Sequence, residues 1–125
     1  MKPKYTKYSN INLHYSIWLT TEAGENVISD ERMQLLIHVQ RLGSLQAASK
    51  MMQISYRKAW GDLRSTENLL GFPLIEKRRG GKHGGNSILT EEGMRLVNAY
   101  QQFREEFRDV TKPVIIKFKK TIKKG

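Results

Sequence analysis

The chain has 125 residues, 22 Lys and Arg against 12 Asp and Glu, a formal charge of +10 and no cysteine. That length suits one domain with room for an extension, and an apolar share of 38% is enough for a packed core, which excludes wholesale disorder. Without cysteine there is no disulfide framework or thiolate metal site, the polar N-terminus lacks the apolar heart of a signal peptide, and no apolar run approaches a membrane span, so a soluble, cytoplasmic protein is expected. Nine of the cationic side chains lie between Arg41 and Thr90, with three acidic residues among them, so the positive excess is not confined to the ends. A basic field of this kind attracts polyanions and speeds encounter with them; a solubilising surface is the plainer account.

Residues 1–9 carry Lys2, Lys4 and Lys7 and read as a flexible basic lead. From Ile11 to Thr20, Ile11, Leu13, Tyr15, Ile17 and Leu19 alternate with Asn12, His14, Ser16, Trp18 and Thr20. Strict period two over ten residues predicts a half-buried strand. Ala23-Gly24-Glu25-Asn26 turns the chain, and Val27-Ile28 is a short return strand. Ser29 or Asp30 caps a helix over 31–42, whose Leu35, Leu36, Val39 and Leu42 recur at helical spacing and which Gly43 ends.

Two helix starts then follow eleven residues apart, Ser44 and Ser55, each able to accept from the unpaired amides of its own first turn. Between them a short helix over 45–52 turns Leu45, Ala48 and Met52 inward and Gln46, Ser49 and Lys50 outward, with Ile54 plugging the turn. The next helix runs from Tyr56 to Leu70, with Gly71 as its stop and Ala59, Leu63, Thr66 and Leu70 on one buried face. Short helix, tight turn and a helix opening with Tyr56-Arg57-Lys58 predict a helix-turn-helix whose second helix enters a DNA major groove. Trp60 is read as packed against the first helix, with DNA contact the alternative. Gly61 inside the helix costs about 1 kcal/mol relative to alanine, which a close approach by another helix or by DNA would explain.

Phe72 to Arg79 reads as extended, Gly80 to Asn86 as a glycine-rich loop and Ser87-Ile88-Leu89 as a second strand, together a hairpin wing beside the recognition helix. Thr90 caps the last helix, with Glu91 and Glu92 suited to its positive end. Leu96, Tyr100, Phe103, Phe107 and Val110 follow at steps of four and three, a heptad-like seam. So many large apolar positions exceed what a small wing covers, so the seam is expected to pack against Leu13, Tyr15 and Ile17 of the N-terminal strand and against a second copy of the chain; purely intramolecular packing is the alternative. Pro113 interrupts or ends the helix, leaving 113–125 a basic tail compatible with strand, helix or mobile segment.

Enzyme chemistry finds no footing. Gly81-Lys82 is followed by His83 rather than Ser or Thr, and Glu76 stands where a P-loop needs its first glycine. His14, His38 and His83 are scattered, without metal-ligand spacing. Glu91-Glu92 and Glu105-Glu106 are adjacent pairs that diverge on a helix rather than converge.

The runs Gly43-Ser44-Leu45-Gln46-Ala47-Ala48-Ser49-Lys50, Ser55-Tyr56-Arg57-Lys58-Ala59-Trp60 and Pro73-Leu74-Ile75-Glu76-Lys77-Arg78-Arg79-Gly80-Gly81, with Gly84-Gly85 and Leu89-Thr90-Glu91-Glu92-Gly93, resemble the N-terminal DNA-binding domain of the molybdate-responsive transcription regulators, the ModE family. More distantly, Leu70-Gly71-Phe72-Pro73-Leu74 and Leu89-Thr90 with Gly93 resemble the LysR-type winged helix. The resemblance covers about residues 10–110. It implies a winged-helix domain that dimerises through its N-terminal strand and long C-terminal helix, binds a palindromic operator, and is linked to molybdate transport or metabolism. In the full-length regulators molybdate-binding domains follow; this chain ends at Gly125, and no molybdate site is assignable within it.

The expected fold is thus α+β, mainly α: a winged helix-turn-helix over 10–112 with an N-terminal strand or hairpin and a long C-terminal dimerisation helix. The expected partners are double-stranded DNA and a second copy of the chain, with no cofactor, no metal and no membrane. Arg57 is the best residue for a base edge. Tyr56, Lys58, Trp60, Arg64 and Gln46 lie at or near the groove, Ser44 and Ser55 offer hydroxyls and helix amides to phosphates, and Arg78, Arg79, Lys82 and His83 meet flanking backbone from the wing. A winged-helix protein-interaction module without specific DNA binding is the alternative. A single-strand binder would need a stacking platform, and the polar strand face offers only Trp18.

Overall fold

The computed structural model describes residues 8–78 and 86–124. The chain divides into two compact units, one spanning Ile17–Ala99 and the other combining the residues up to Ser16 with those from Tyr100 onward.

The first unit opens with β1 (Leu19–Thr20), which pairs antiparallel with β2 (Asn26–Ile28) through an irregular register. The tight turn between them is closed by Gly24 N–H donating to the Thr21 carbonyl at 2.9 Å and Thr21 N–H to the Glu25 carbonyl at 2.8 Å. The ten-residue strand expected over 11–20 is therefore only two residues long. A strand needs a neighbour for its amides and carbonyls, and β2 supplies three residues. The alternating side chains are not half-buried either: Ile11, Leu13, Tyr15, Trp18 and Leu19 are exposed, and Ile17 alone of the apolar set is half-buried.

Helix α1 (Asp30–Leu42) starts where Ser29 Oγ accepts from Arg32 N–H and stops at Gly43, whose φ of 81° lets its N–H reach back to the Val39 carbonyl. Met33, Leu35, Leu36, Ile37 and Val39 are buried, which makes α1 the central core helix; Leu42, at the helix end, is exposed. Helix α2 (Leu45–Met51) is capped by Ser44 and packs through Leu45 and Ala48. Ser49, expected to face out, is buried: its hydroxyl donates to the Leu45 carbonyl at 2.7 Å, so it needs no water. Met52 and Ile54 are half-buried. The turn to the next helix places Gln53 at φ 59°, in the left-handed region.

Helix α3 (Tyr56–Leu70) has the predicted bounds, with Ser55 as N-cap and Gly71 (φ 84°) as C-cap. Its buried face is Ala59, Leu63, Thr66 and Glu67; Leu70 is only half-buried. Strands β3 (Ile75–Arg78) and β4 (Asn86–Leu89) pair antiparallel from Ile75 opposite Leu89 to Arg78 opposite Asn86. They form the stem of the predicted wing, and Asn86, assigned to the loop from sequence, begins β4. The glycine-rich tip lies outside the described residues.

Helix α4 spans Glu91–Lys123. Thr90 Oγ1 accepts from Gly93 N–H at 3.0 Å and donates to the Pro73 carbonyl at 2.9 Å, which ties the helix start to the wing root. Gly93 is obligatory there, because a β-carbon would overlap the Leu74 carbonyl oxygen. Pro113 does not end α4, which continues for ten residues beyond it. The proline removes the hydrogen bond to the Asp109 carbonyl, but Val110, Lys112, Pro113 and Val114 are all exposed, so water can take that acceptor.

In the second unit, Tyr15 meets Phe107 edge-on at 5.2 Å between ring centroids, Phe103 stacks on Phe107 at 5.6 Å, and Lys119 Nζ donates to Asn12 Oδ1 at 2.8 Å. The N-terminal segment thus lies along α4, as the seam required, although without strand structure.

Candidate nucleic-acid interface

The sequence dictates which way α3 faces. Successive residues turn by about 100°, so the buried Ala59, Leu63 and Thr66 fix the inner stripe, and Arg57, Lys58, Gly61, Arg64, Ser65 and Asn68 fall opposite it. All six are exposed. The helix therefore presents three cations and no carboxylate along the middle of its outer face, with Asp62 at the edge, half-buried.

Arg57, in the first turn of α3, has no hydrogen-bond or ion-pair partner among the described residues and is ready for an incoming acceptor. Lys58 is held along the helix, its Nζ 2.7 Å from Asp62 Oδ2. Asp62 also faces Arg32 of α1 at 3.8 Å, and Arg32 donates to Thr66 Oγ1 at 3.0 Å, which in turn donates to the Val27 carbonyl at 3.2 Å. This chain of polar contacts fastens α3 to α1 and β2.

Tyr56, Trp60, Arg64 and Lys77 form one cluster where α3 meets the wing. The Arg64 guanidinium carbon lies 5.0 Å from the Trp60 ring centroid and Lys77 Nζ 5.8 Å from it, cation–π distances. Tyr56 stands edge-on to Trp60 at 6.3 Å and its hydroxyl is 3.3 Å from Ser87 Oγ on β4. Burial pushes the Tyr56 phenol up, but the Ser87 hydroxyl, the Trp60 indole and the charge of Lys77 outweigh it and hold the phenol below its usual value. Trp60, expected against the first helix, is half-buried with its ring partners on α3 and β3.

Ser44 and Ser55 act as the caps expected. Their oxygens accept from Ala47 and Lys58 N–H at 3.1 and 3.0 Å, which leaves each hydroxyl proton free to be donated outward. Gln46 is exposed at the start of α2, and Arg78 is exposed at the end of β3. Arg79, Lys82 and His83 lie outside the described residues. Of the residues assigned to dimerisation, Leu13, Tyr15, Phe103 and Val110 are exposed, Ile17, Leu96 and Phe107 are half-buried, and Tyr100 is buried.

Glu67 is the residue sequence reasoning missed. Its buried Oε2 accepts from Leu74 N–H at 2.7 Å and Ile75 N–H at 3.1 Å, which anchors the wing root to α3. Two signals pointed to it: it follows the buried Leu63 by four residues, and Pro73 sits just before two amides that need an acceptor. Lys77 and Ser87 joined the α3 cluster only through strand register, which brings them opposite each other.

No helix among the described residues is long and apolar enough to cross a membrane, and no group of His, Asp or Glu there could hold a metal ion.

Comparison with known proteins agrees with this geometry. The chain is 36% identical over 90 residues to the molybdenum transport protein ModE of Azotobacter vinelandii, covering 72% of this chain and 33% of that one. It is 40% identical over 70 residues to the molybdenum-pterin-binding protein MopB of Rhodobacter capsulatus, covering 56% and 26%. To the DNA-binding transcriptional dual regulator ModE of Escherichia coli K12 it is 35% identical over 85 residues, covering 67% and 32%. The chain thus spans about a quarter to a third of the length of these relatives. Among solved structures, its fold is similar to the CbnR DNA-binding domain in a DNA complex, with TM-score 0.51, 20% identity, and coverage of 66% of this chain and 90% of that one. ArgP of Mycobacterium tuberculosis is similar at TM-score 0.50 and 18% identity, over 67% and 30%. The winged fold and the relatives converge with a family match over residues 31–94, about half of the chain, and by that match the chain belongs to the bacterial regulatory helix-turn-helix proteins of the lysR family.

Proposed function

We propose that this chain is the DNA-reading part of a transcriptional regulator that binds a specific duplex sequence as a homodimer in the cytoplasm. The observation that carries the reading is the outer face of α3, where Arg57, Lys58 and Arg64 stand opposite the buried stripe. A helix docked by that face would set Arg57 against base edges, bidentate to guanine where the site presents one. Arg64 and Lys77, gathered over Trp60, and Arg78 on β3 would meet phosphates. The names of the relatives support a link to molybdenum metabolism. Homodimerisation is supported by the exposed apolar side chains of Leu13, Tyr15, Phe103 and Val110, which one copy leaves in water.

The test is a fluorescence titration against random-sequence duplex at two salt concentrations, followed by selection of the sequence the protein enriches. Binding should fall steeply with salt. Arg57→Ala should cost about 1–3 kcal/mol on the enriched sequence and relax preference at one base position. No salt-dependent binding near physiological ionic strength would leave a protein-interaction module as the better account.

A further inference from the structure

Four of the five described glycines are explained by the chain itself. Gly24, Gly43 and Gly71 have φ of 90°, 81° and 84°, which disfavour any side chain. Gly93 is forced by the Leu74 carbonyl. Gly61 is different. It lies inside the unbroken helix α3, its φ is not in the left-handed region, and a β-carbon built there meets nothing within 4 Å among the described residues. Glycine is the poorest helix former after proline, so nothing among the described residues favours it over alanine.

Its position singles out what does. On a helical wheel Gly61 lies opposite the buried stripe, about 40° from Arg57 and about 60° from Arg64 and from Lys58 on the other side. It is exposed at the centre of the cationic face. A body that approaches those three cations comes closest to the helix axis at Gly61.

We infer that Gly61 is where duplex DNA comes into van der Waals contact with the backbone of α3, so that the wall of the major groove occupies the volume a side chain would need. The missing β-carbon is a depth setting: it lets the helix sit further into the groove and brings Arg57 within reach of base edges. This rests on the proposed reading of the chain as a sequence-specific DNA binder.

The experiment compares wild type with Gly61→Ala and Gly61→Leu in two assays. Thermal unfolding should show both variants more stable, Gly61→Ala by about 4 °C, because each is a better helix former at an open position. Affinity for the duplex enriched by wild type from a random library should fall at least about tenfold for Gly61→Ala and further for Gly61→Leu, since added atoms force the groove away. Affinity for unselected duplex at low salt should stay within about threefold, because loose electrostatic binding does not require the helix to be seated. Variants that are stabilised and still bind the enriched duplex like wild type would overturn the inference, as would a fall in melting temperature for Gly61→Ala, which would mean that the glycine serves the fold. Failure of the underlying reading has a separate signature: wild type itself would enrich no sequence.

Discussion

In the unit Ile17–Ala99, Leu36, Leu45, Leu63 and Leu74 are fully buried, and the exposed face of α3 is cationic. In the other unit, Phe103 is 50% exposed and Val110 70%, Val114, Ile116 and Phe118 are also in water, and Tyr100 is the one buried residue among those described. The first unit buries a contiguous apolar core and turns charge outward along α3, although Trp18, Met51 and Met94 stay exposed. The second keeps a helix with most of its apolar side chains unused. Substitutions in the two should therefore register in different measurements: folding stability and DNA affinity for the first, self-association for the second.

The largest effect belongs to the core. Leu36→Ala removes a fully buried side chain from the central helix and should cost about 2–5 kcal/mol in chemical denaturation. Next comes Glu67→Ala, which strands the buried amides of Leu74 and Ile75; about 2–3 kcal/mol should be lost. Glu67→Gln, which keeps an acceptor oxygen, should recover part of that loss. The double change Phe103→Ser with Val110→Ser should leave the circular dichroism of the helices in place. Sedimentation equilibrium should show self-association weakened by about tenfold or more, roughly 1.4 kcal/mol; unchanged association would remove the contrast between the units. The smallest effect is at Asp62, whose pairs with Lys58 and Arg32 are partly solvated. Asp62→Asn should cost less than about 1 kcal/mol of stability. Because it frees the Lys58 ammonium, it should also strengthen binding to unselected duplex at low salt.

The legibility of the fold follows the range of the signal. Ser29, Ser44, Ser55 and Thr90 announced helix starts and Gly43 and Gly71 announced stops, because a cap acts on amides three residues away. The period-two pattern over 11–20 predicted a half-buried strand, but only Leu19–Thr20 is strand and Ile17 alone is half-buried, because strand formation depends on a neighbour that the pattern does not specify. Pro113 weakened one turn of α4, while the residues on both sides kept the helix. Within the interface, the outward direction of Arg57 and Arg64 followed from the buried stripe. The cage of Arg64 and Lys77 around Trp60 did not, because it depends on β3 register. Glu67 escaped because its inner-face position and the amides after Pro73 lie seven and eight residues apart, and only the fold brings them together.

Gln53 carries a different lesson. Its left-handed backbone closes the turn between α2 and α3, with Gln53 N–H donating to the Lys50 carbonyl at 3.1 Å and Ile54 N–H to the Ser49 carbonyl at 3.0 Å. A side chain in that conformation costs about 1 kcal/mol that glycine would avoid. The turn that joins α2 to α3 thus keeps an unexploited gain in stability. Such slack has a consequence for stability: glycine at this turn would give the fold tolerance for destabilising changes elsewhere, including changes on the outer face of α3.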